Sequence, residues 1–292
     1  MRVLPFFKYS PSGNITILVP EPSLPPETRA SCASLIMGPG HLGAEQVGYV
    51  DPVSNPPRLE MMGGEFCVNA CLAMAALLHA EGRLILPSPP GGFSIPDQDR
   101  PDPDWRYGLL QSSGTPRLLA VRAKVCAEAE ASGLAAAREA GACLSLPVLP
   151  PVENLAEGIE LVRLPGISHL ILDAAFHPVP ADWRGASAAL RRAFHLENEE
   201  AVGCLWLENG TDAFLTPVVW VKATGEAQRE TACGSGSMAC ALHLLQGAGR
   251  IRIRQQGGNV QEVILREDAE GFQIWVNGRV ECIARGECFV RG

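Results

Sequence analysis

EFCVNACLAMAALLHAEGR at residues 65–83 and TACGSGSMACALHLLQGAGR at residues 231–250 share one pattern. Each opens on a cysteine, passes a small or polar turn, runs into an almost wholly apolar segment and closes on Gly-Arg. A helix that is apolar on nearly every face has to be buried all round. The two stretches therefore predict central helices, at 68–81 and 236–246, each with other structure wrapped around it and a cysteine at its N-terminus.

Outward from these helices, runs rich in Val, Ile and Leu read as strands at 15–19, 47–50, 109–110 and 118–121, broken by Pro and Gly. A Pro-, Gly- and Asp-rich loop at 87–104, a candidate lid, leads into further strands at 159–164, 168–172, 201–207 and 217–221, with a surface helix at 181–193. Strands at 250–254, 262–265, 272–276 and 281–284 follow the second apolar helix. The order is strands, helix, strands, and then the same again. This predicts an α+β fold of two pseudo-symmetric halves, each a curved sheet around a central helix. The N-terminal half takes 1–116 with the Cys67 helix and is completed by 281–292; the C-terminal half takes 117–280 with the Cys233 helix.

A chain of 292 residues with 47% hydrophobic content can fill two sizeable cores. Its formal charge of −8 and lack of any Lys/Arg run argue against nucleic acid as a partner. The opening MRVLPFFKYSPSGN has neither the apolar run nor the cleavage site of a signal peptide. No apolar stretch approaches the roughly 20 residues that cross a bilayer. A cytoplasmic protein without a membrane segment is expected. Its ten cysteines are dilute, several lie within apolar runs, and no Cys-x-x-Cys occurs, so most read as small buried hydrophobes and no metal site is expected.

Cysteine at a buried helix start carries chemical meaning. The first turn of a helix offers unpaired N–H groups and a positive dipole end, which bind carboxylates and favour thiolate over thiol. The dipole contributes up to about 2 kcal/mol, and about 1.4 kcal/mol moves a pKa by one unit. A thiol at about 8.5 is thereby expected near about 7, where general acid–base groups work. If the halves face each other, Cys67 and Cys233 flank one cleft. Mutual repulsion then favours one thiolate and one thiol, the pair a two-base racemase needs. Taken singly, a cysteine ahead of an apolar helix is usually core, and CGSG before a helix can cradle a phosphate, although the Lys-Ser/Thr of a P-loop is missing. The repetition of the pattern favours chemistry.

FFKYSPSGNITILV at 6–19, EQVGYV at 45–50, MMGGEFCVNA at 61–70, ETACGSGS at 230–237 and QQGG at 255–258 extend over most of the chain. In these motifs it resembles the diaminopimelate epimerase superfamily, and within it the histidine racemases of staphylopine-type metallophore biosynthesis. The resemblance implies two α/β halves closing over a small amino-acid substrate, with no pyridoxal phosphate and no metal. It implies that Cys67 and Cys233 are the catalytic pair and that Asn14 and Gln46 hold the amino acid. It implies that the backbone amides of Val68, Asn69, Gly234 and Ser235 grip the α-carboxylate. His169 matches a histidine position near the family's site and is a candidate to support it from behind; His79 and His243, inside or near the ends of apolar helices, read as structural. Oligomeric state is left open, a homodimer included.

The departures narrow the substrate. Where diaminopimelate epimerases carry Glu-Arg-Gly before the second cysteine, this chain has Thr224 and Gly225, so the reader of a distal carboxylate is missing. Family asparagines fall on Arg58, Ile167 and Ala201, and Val68 stands where a Gly commonly follows the first cysteine. Racemisation of histidine is the leading reading. Diaminopimelate epimerisation, a non-catalytic amino-acid-binding protein and a thiol hydrolase with a His base are the rivals.

Overall fold

Two helices lie at the centre of the fold. In the computed structural model, which describes residues 1–94, 102–126, 137–210 and 213–290, helix α2 (Val68–Ala80) is buried from Val68 through Leu78. Helix α4 (Gly234–Leu245) is buried from Gly234 through Leu242. Both start the same way. Cys67 (φ −131°, ψ 108°) and Cys233 (φ −133°, ψ 107°) are extended N-caps whose sulfurs accept the N–H three residues on, from Ala70 and Gly236. The ends differ. Gly82, at φ +67°, closes α2, whereas Gln246, at φ +50°, closes α4, and the expected closing Gly249 instead opens a strand.

Around α2 run β1 (Arg2–Pro11), β2 (Thr16–Val19), β3 (Gln46–Asp51), β4 (Arg58–Met61), β5 (Arg106–Ser112), β6 (Leu118–Val125) and β7 (Ala137–Leu146), with α1 (Pro26–Met37) between β2 and β3. The last strand, β16 (Gly271–Val290), pairs with β7 through residues 272–281 and with β1 through residues 280–290. That double pairing closes a circuit of eight strands, all of which pack on α2. The expected divide at 116/117 falls between β5 and β6, which are antiparallel partners.

The other side of β16 continues through β15 (Val260–Asp268), β14 (Gly249–Gln255), β12 (Ala213–Val221), β11 (Ala201–Glu208), β10 (Ile167–Asp173), β9 (Ile159–Leu164) and β8 (Val152–Ala156), with β13 (Glu226–Arg229) on β12. Helix α4 packs on β9, β10, β11, β14, β15 and β16. Alternation sends Ile167, His169 and Ile171 of β10 toward α4, and Leu170 and Leu172 to the opposite face. There α3 (Trp183–Ala193), capped by the Asp182 carboxylate on the Gly185 N–H at 2.9 Å, covers a second core around Trp206. The result is a mixed, sheet-rich α+β fold.

Among the described residues no helix is long and apolar enough to cross a membrane. Of the 87–104 loop, 95–101 lie outside the described residues. Its near end is tied to Gln273, which accepts from the Ser94 N–H at 2.8 Å and donates to the Gly92 carbonyl at 3.1 Å.

Candidate active site

The N-termini of α2 and α4 meet. A Cβ placed on Gly234 would lie 2.7 Å from both Cβ and Cγ1 of Val68, so the absence of a side chain at 234 lets the two first turns abut. The contact is braced on both sides. Asn69 donates to the Ala232 carbonyl at 2.8 Å, and its own oxygen accepts from Gln261 at 3.0 Å.

A cavity opens at this junction. It encloses about 510 Å³ between the atoms, part of it open to solvent, and both Cys67 and Cys233 line it, as do Val68, Asn69, Gly234 and Ser235. By helix geometry the N–H groups at the first two positions of each helix have no intrahelical partner, so two sets of donors converge where a carboxylate would sit. The wall is otherwise apolar and acidic. Met37, Met62, Phe66, Ile167, Val219 and Val221 form the apolar part, and Glu45, Glu65, Glu226 and Glu230 the acidic part. No Lys, Arg or His is among the described lining residues.

The two thiols have different neighbours. Cys67 Sγ donates to Gln46 Oε1 at 2.9 Å, and Gln46 is locked because its amide donates to Asn14 Oδ1 at 2.7 Å and Thr16 Oγ1 at 2.9 Å. A carbonyl oxygen held there suits a thiol and repels a thiolate. Cys233 instead feels the Glu230 carboxylate, which opposes its ionisation, and lies 3.7 Å from Ser235 Oγ. Its backbone N–H is taken by Gln255 Oε1 at 3.0 Å.

Helix starts alone do not lower these thiols as expected. Burial pushes both Cys67 and Cys233 well above the usual thiol range, and the negative charge of Glu230 pushes both further; one N–H at 3.4 Å on each sulfur offsets only part of this. Burial likewise raises Glu65 to about 7 and Glu230 well above the carboxylate range, with the Glu45 charge adding to the latter.

Asn14, expected to hold the amino acid, is fully buried and does not line the cavity. Its amide donates to Glu45 Oε2 at 2.8 Å and to the Ala232 carbonyl at 3.2 Å, and its oxygen accepts from Thr16 and Gln46, so all of its capacity is taken. Asn14 thus orients Gln46. His169 does not line the cavity either, although Ile167, two residues back on the same face, does. Its ring packs against Gly203, where a Cβ would lie 2.2 Å from Nδ1, and burial lowers it to about 3, which keeps it neutral. His79 accepts from Arg138 Nε at 3.1 Å, and His243 lies against the Glu160 carboxylate.

The acidic groups are what sequence reasoning missed, although a signal existed: Glu65 precedes Cys67 by two positions and Glu230 precedes Cys233 by three. Glu45 fastens the site together. It accepts from Asn14, from the Ile15 N–H at 3.3 Å, and from the N–H and hydroxyl of Thr231 at 2.8 and 2.7 Å. Among the described residues no cluster of His, Cys, Asp or Glu has the makings of a metal site.

Two buried helices that deliver capping cysteines and their first-turn amides to one cavity define an isomerase of the racemase and epimerase class. The fold matches the crystal structure of a hydroxyproline epimerase from Agrobacterium vitis with a TM-score of 0.62, at 12% identity over 98% of this chain and 92% of that one. It also matches a phenazine biosynthesis protein of the PhzF family from Bacillus anthracis with a TM-score of 0.61, at 11% identity over 99% and 100% of the two chains. These likenesses define a broader fold group than the diaminopimelate epimerase type expected. In sequence, the chain is 25% identical over 295 residues to a histidine racemase of Fusobacterium nucleatum and 23% identical over 301 residues to one of Staphylococcus aureus, covering 99% of this chain and 98% of each relative. Residues 3–87 and 148–289 match the family model described as the histidine racemase CntK N-terminal domain, and the chain belongs to that family.

Proposed function

We propose that this chain interconverts L- and D-histidine by a two-base mechanism, with Cys67 and Cys233 on opposite faces of the α-carbon and without pyridoxal phosphate or metal. The observation that carries the reading is the abutment of two cysteine-capped helix starts at one cavity. The free N–H groups of Val68, Asn69, Gly234 and Ser235 receive the α-carboxylate, whose charge they stabilise through the helix ends. One sulfur, as thiolate, takes the α-proton; the opposite thiol returns a proton to the other face, and the roles are then exchanged. Gln46 accepts the Cys67 proton and so favours the thiol form of that sulfur in the free enzyme.

The histidine side chain suits the wall. Thr224 lies in the lining where a distal-carboxylate reader would stand, no cation among the described residues lines the cavity, and Met62, Phe66, Ile167, Val219 and Val221 offer an apolar surface. We assign the D-histidine to biosynthesis of an opine-type metallophore, and the enzyme to the cytoplasm, where its ten free cysteines stay reduced. We also read the fold as two pseudo-symmetric halves that close on substrate. One comprises the α2 circuit, residues 1–146 with 280–290, and the other is built on α4; this moves the divide from 116 to the end of β7.

The test is isotopic. In heavy water, product should carry deuterium from the first turnovers while unreacted substrate keeps its protium, as two separate bases require. Cys67→Ser and Cys233→Ser should each lower racemisation by at least about 10²-fold, and each should exchange the α-hydrogen of only one enantiomer, opposite for the two variants. Near-normal racemisation by either variant, or turnover of LL-diaminopimelate with none of histidine in chiral chromatography, would overturn the reading.

A further inference from the structure

The acidic wall is not accounted for by acid–base chemistry at the two sulfurs. Three of its four carboxylates have evident positions. Glu45 accepts four hydrogen bonds within the scaffold. Glu65 folds back on its own loop, accepting from the Gly63 N–H at 2.9 Å. Glu226 is exposed on β13. Glu230 is different. It is 6% exposed, it lines the cavity, and among the described residues its carboxylate has no ion-pair partner.

Its place relative to the α-carbon follows from the sulfurs. Glu230 lines the same cavity as Cys67 and Cys233 and stands three residues before the latter. A two-base racemase holds the α-carbon between its two bases, so a carboxylate on the wall that carries one of them faces the groups of that carbon. Of the groups on that carbon, the α-carboxylate belongs at the helix starts and the hydrogen faces a sulfur. The ammonium group is the cation left to be matched.

We propose that Glu230 binds the α-ammonium group of the substrate and thereby selects amino acids over their desamino analogues. The inference rests on the racemase reading above and adds a specificity-determining contact to it.

The experiment compares histidine with 3-(imidazol-4-yl)propionate, which lacks only the amino group, on the wild-type protein and on Glu230→Gln, with Glu230→Asp as the conservative control. Wild type should favour histidine on the order of 10²-fold, the loss typical of a buried charge left without its partner. Glu230→Gln should reduce that preference to a few-fold and raise KM for histidine more than it lowers kcat. Glu230→Asp should recover part of the preference. A purely structural role would weaken both ligands equally. Equal weakening of both ligands, or a wild type that binds the desamino compound as well as histidine, overturns the proposal while leaving the racemase reading intact. Failure of wild type to bind histidine at all overturns both.

Discussion

Gly234→Ala probes the contact on which the whole site depends. The added methyl would sit 2.7 Å from Cβ and Cγ1 of Val68 and 3.1 Å from Asn69 Oδ1. Carbon atoms rest at about 3.5–4.0 Å, so the two helix starts have to separate by roughly 1 Å, and Val68 Cβ, fixed to the backbone, has little freedom to yield. Overpacking of this kind costs about 1–3 kcal/mol. The kinetic penalty should be larger in effect, because a 1 Å misplacement of reacting groups costs about 10²-fold. Chiral chromatography of histidine turnover, together with thermal unfolding, measures both. The complementary change is Val68→Gly, which removes both clashing atoms. In a double-mutant cycle the pair should show a favourable coupling of about 0.5–3 kcal/mol, and the double variant should regain most of the lost kcat. Full activity and unchanged Tm in Gly234→Ala, or no rescue by Val68→Gly, would refute the view that this abutment sets the spacing of the cysteines.

Two further outcomes concern protons. Because both thiols of the free enzyme lie above the usual range through burial and the Glu230 charge, kcat/KM for histidine should still be climbing at about pH 8, as it must when a raised thiol has to lose its proton; a plateau already reached below about pH 7 in a pH–rate profile would contradict it. Glu65, pushed up to about 7 by burial, binds a proton in the folded state that an unfolded carboxylate near about 4.3 has already released. Stability therefore falls as pH rises from the lower value through the upper, and Glu65→Gln should flatten chemical-denaturation stability across that window by up to about 1.4 kcal/mol per pH unit, whereas an unchanged slope would show that Glu65 stays ionised.

The elements legible in the sequence are those whose signal is local. Helix α2 was expected at 68–81 and spans Val68–Ala80; α3, expected at 181–193, spans Trp183–Ala193. Both declare themselves by apolar pattern or cap. Helix α1 went unrecognised because Pro25 and Pro26 disguise its start and its apolar residues form no stripe, although Pro is well suited to a first turn. Strand β7 went unrecognised because AREAGACLSL reads as a weak strand by composition; its partners β6 and β16, the latter more than 120 residues away, make it one. The boundary read at 116 falls between β5 and β6, whose pairing is a property of the sheet and not of either segment.

At the site the same rule separates what was read from what was not. The cysteines announce themselves through repetition, and their shared cavity follows if two similar halves face each other. Their ionisation does not follow, because a dipole argument counts the helix alone, while the thiol responds to everything buried with it. Glu230 was in plain view three residues before Cys233, yet only the fold brings its charge to bear on Cys67, 163 positions before it. The result is asymmetry inside a repeated motif, with a neutral Gln46 facing one sulfur and an acidic Glu230 facing the other. A racemase tolerates such asymmetry because its equilibrium constant is one, which requires kcat/KM to be equal for the two enantiomers whatever surrounds each base. The unequal neighbours of Cys67 and Cys233 therefore act on how each enantiomer divides that common value between binding and turnover.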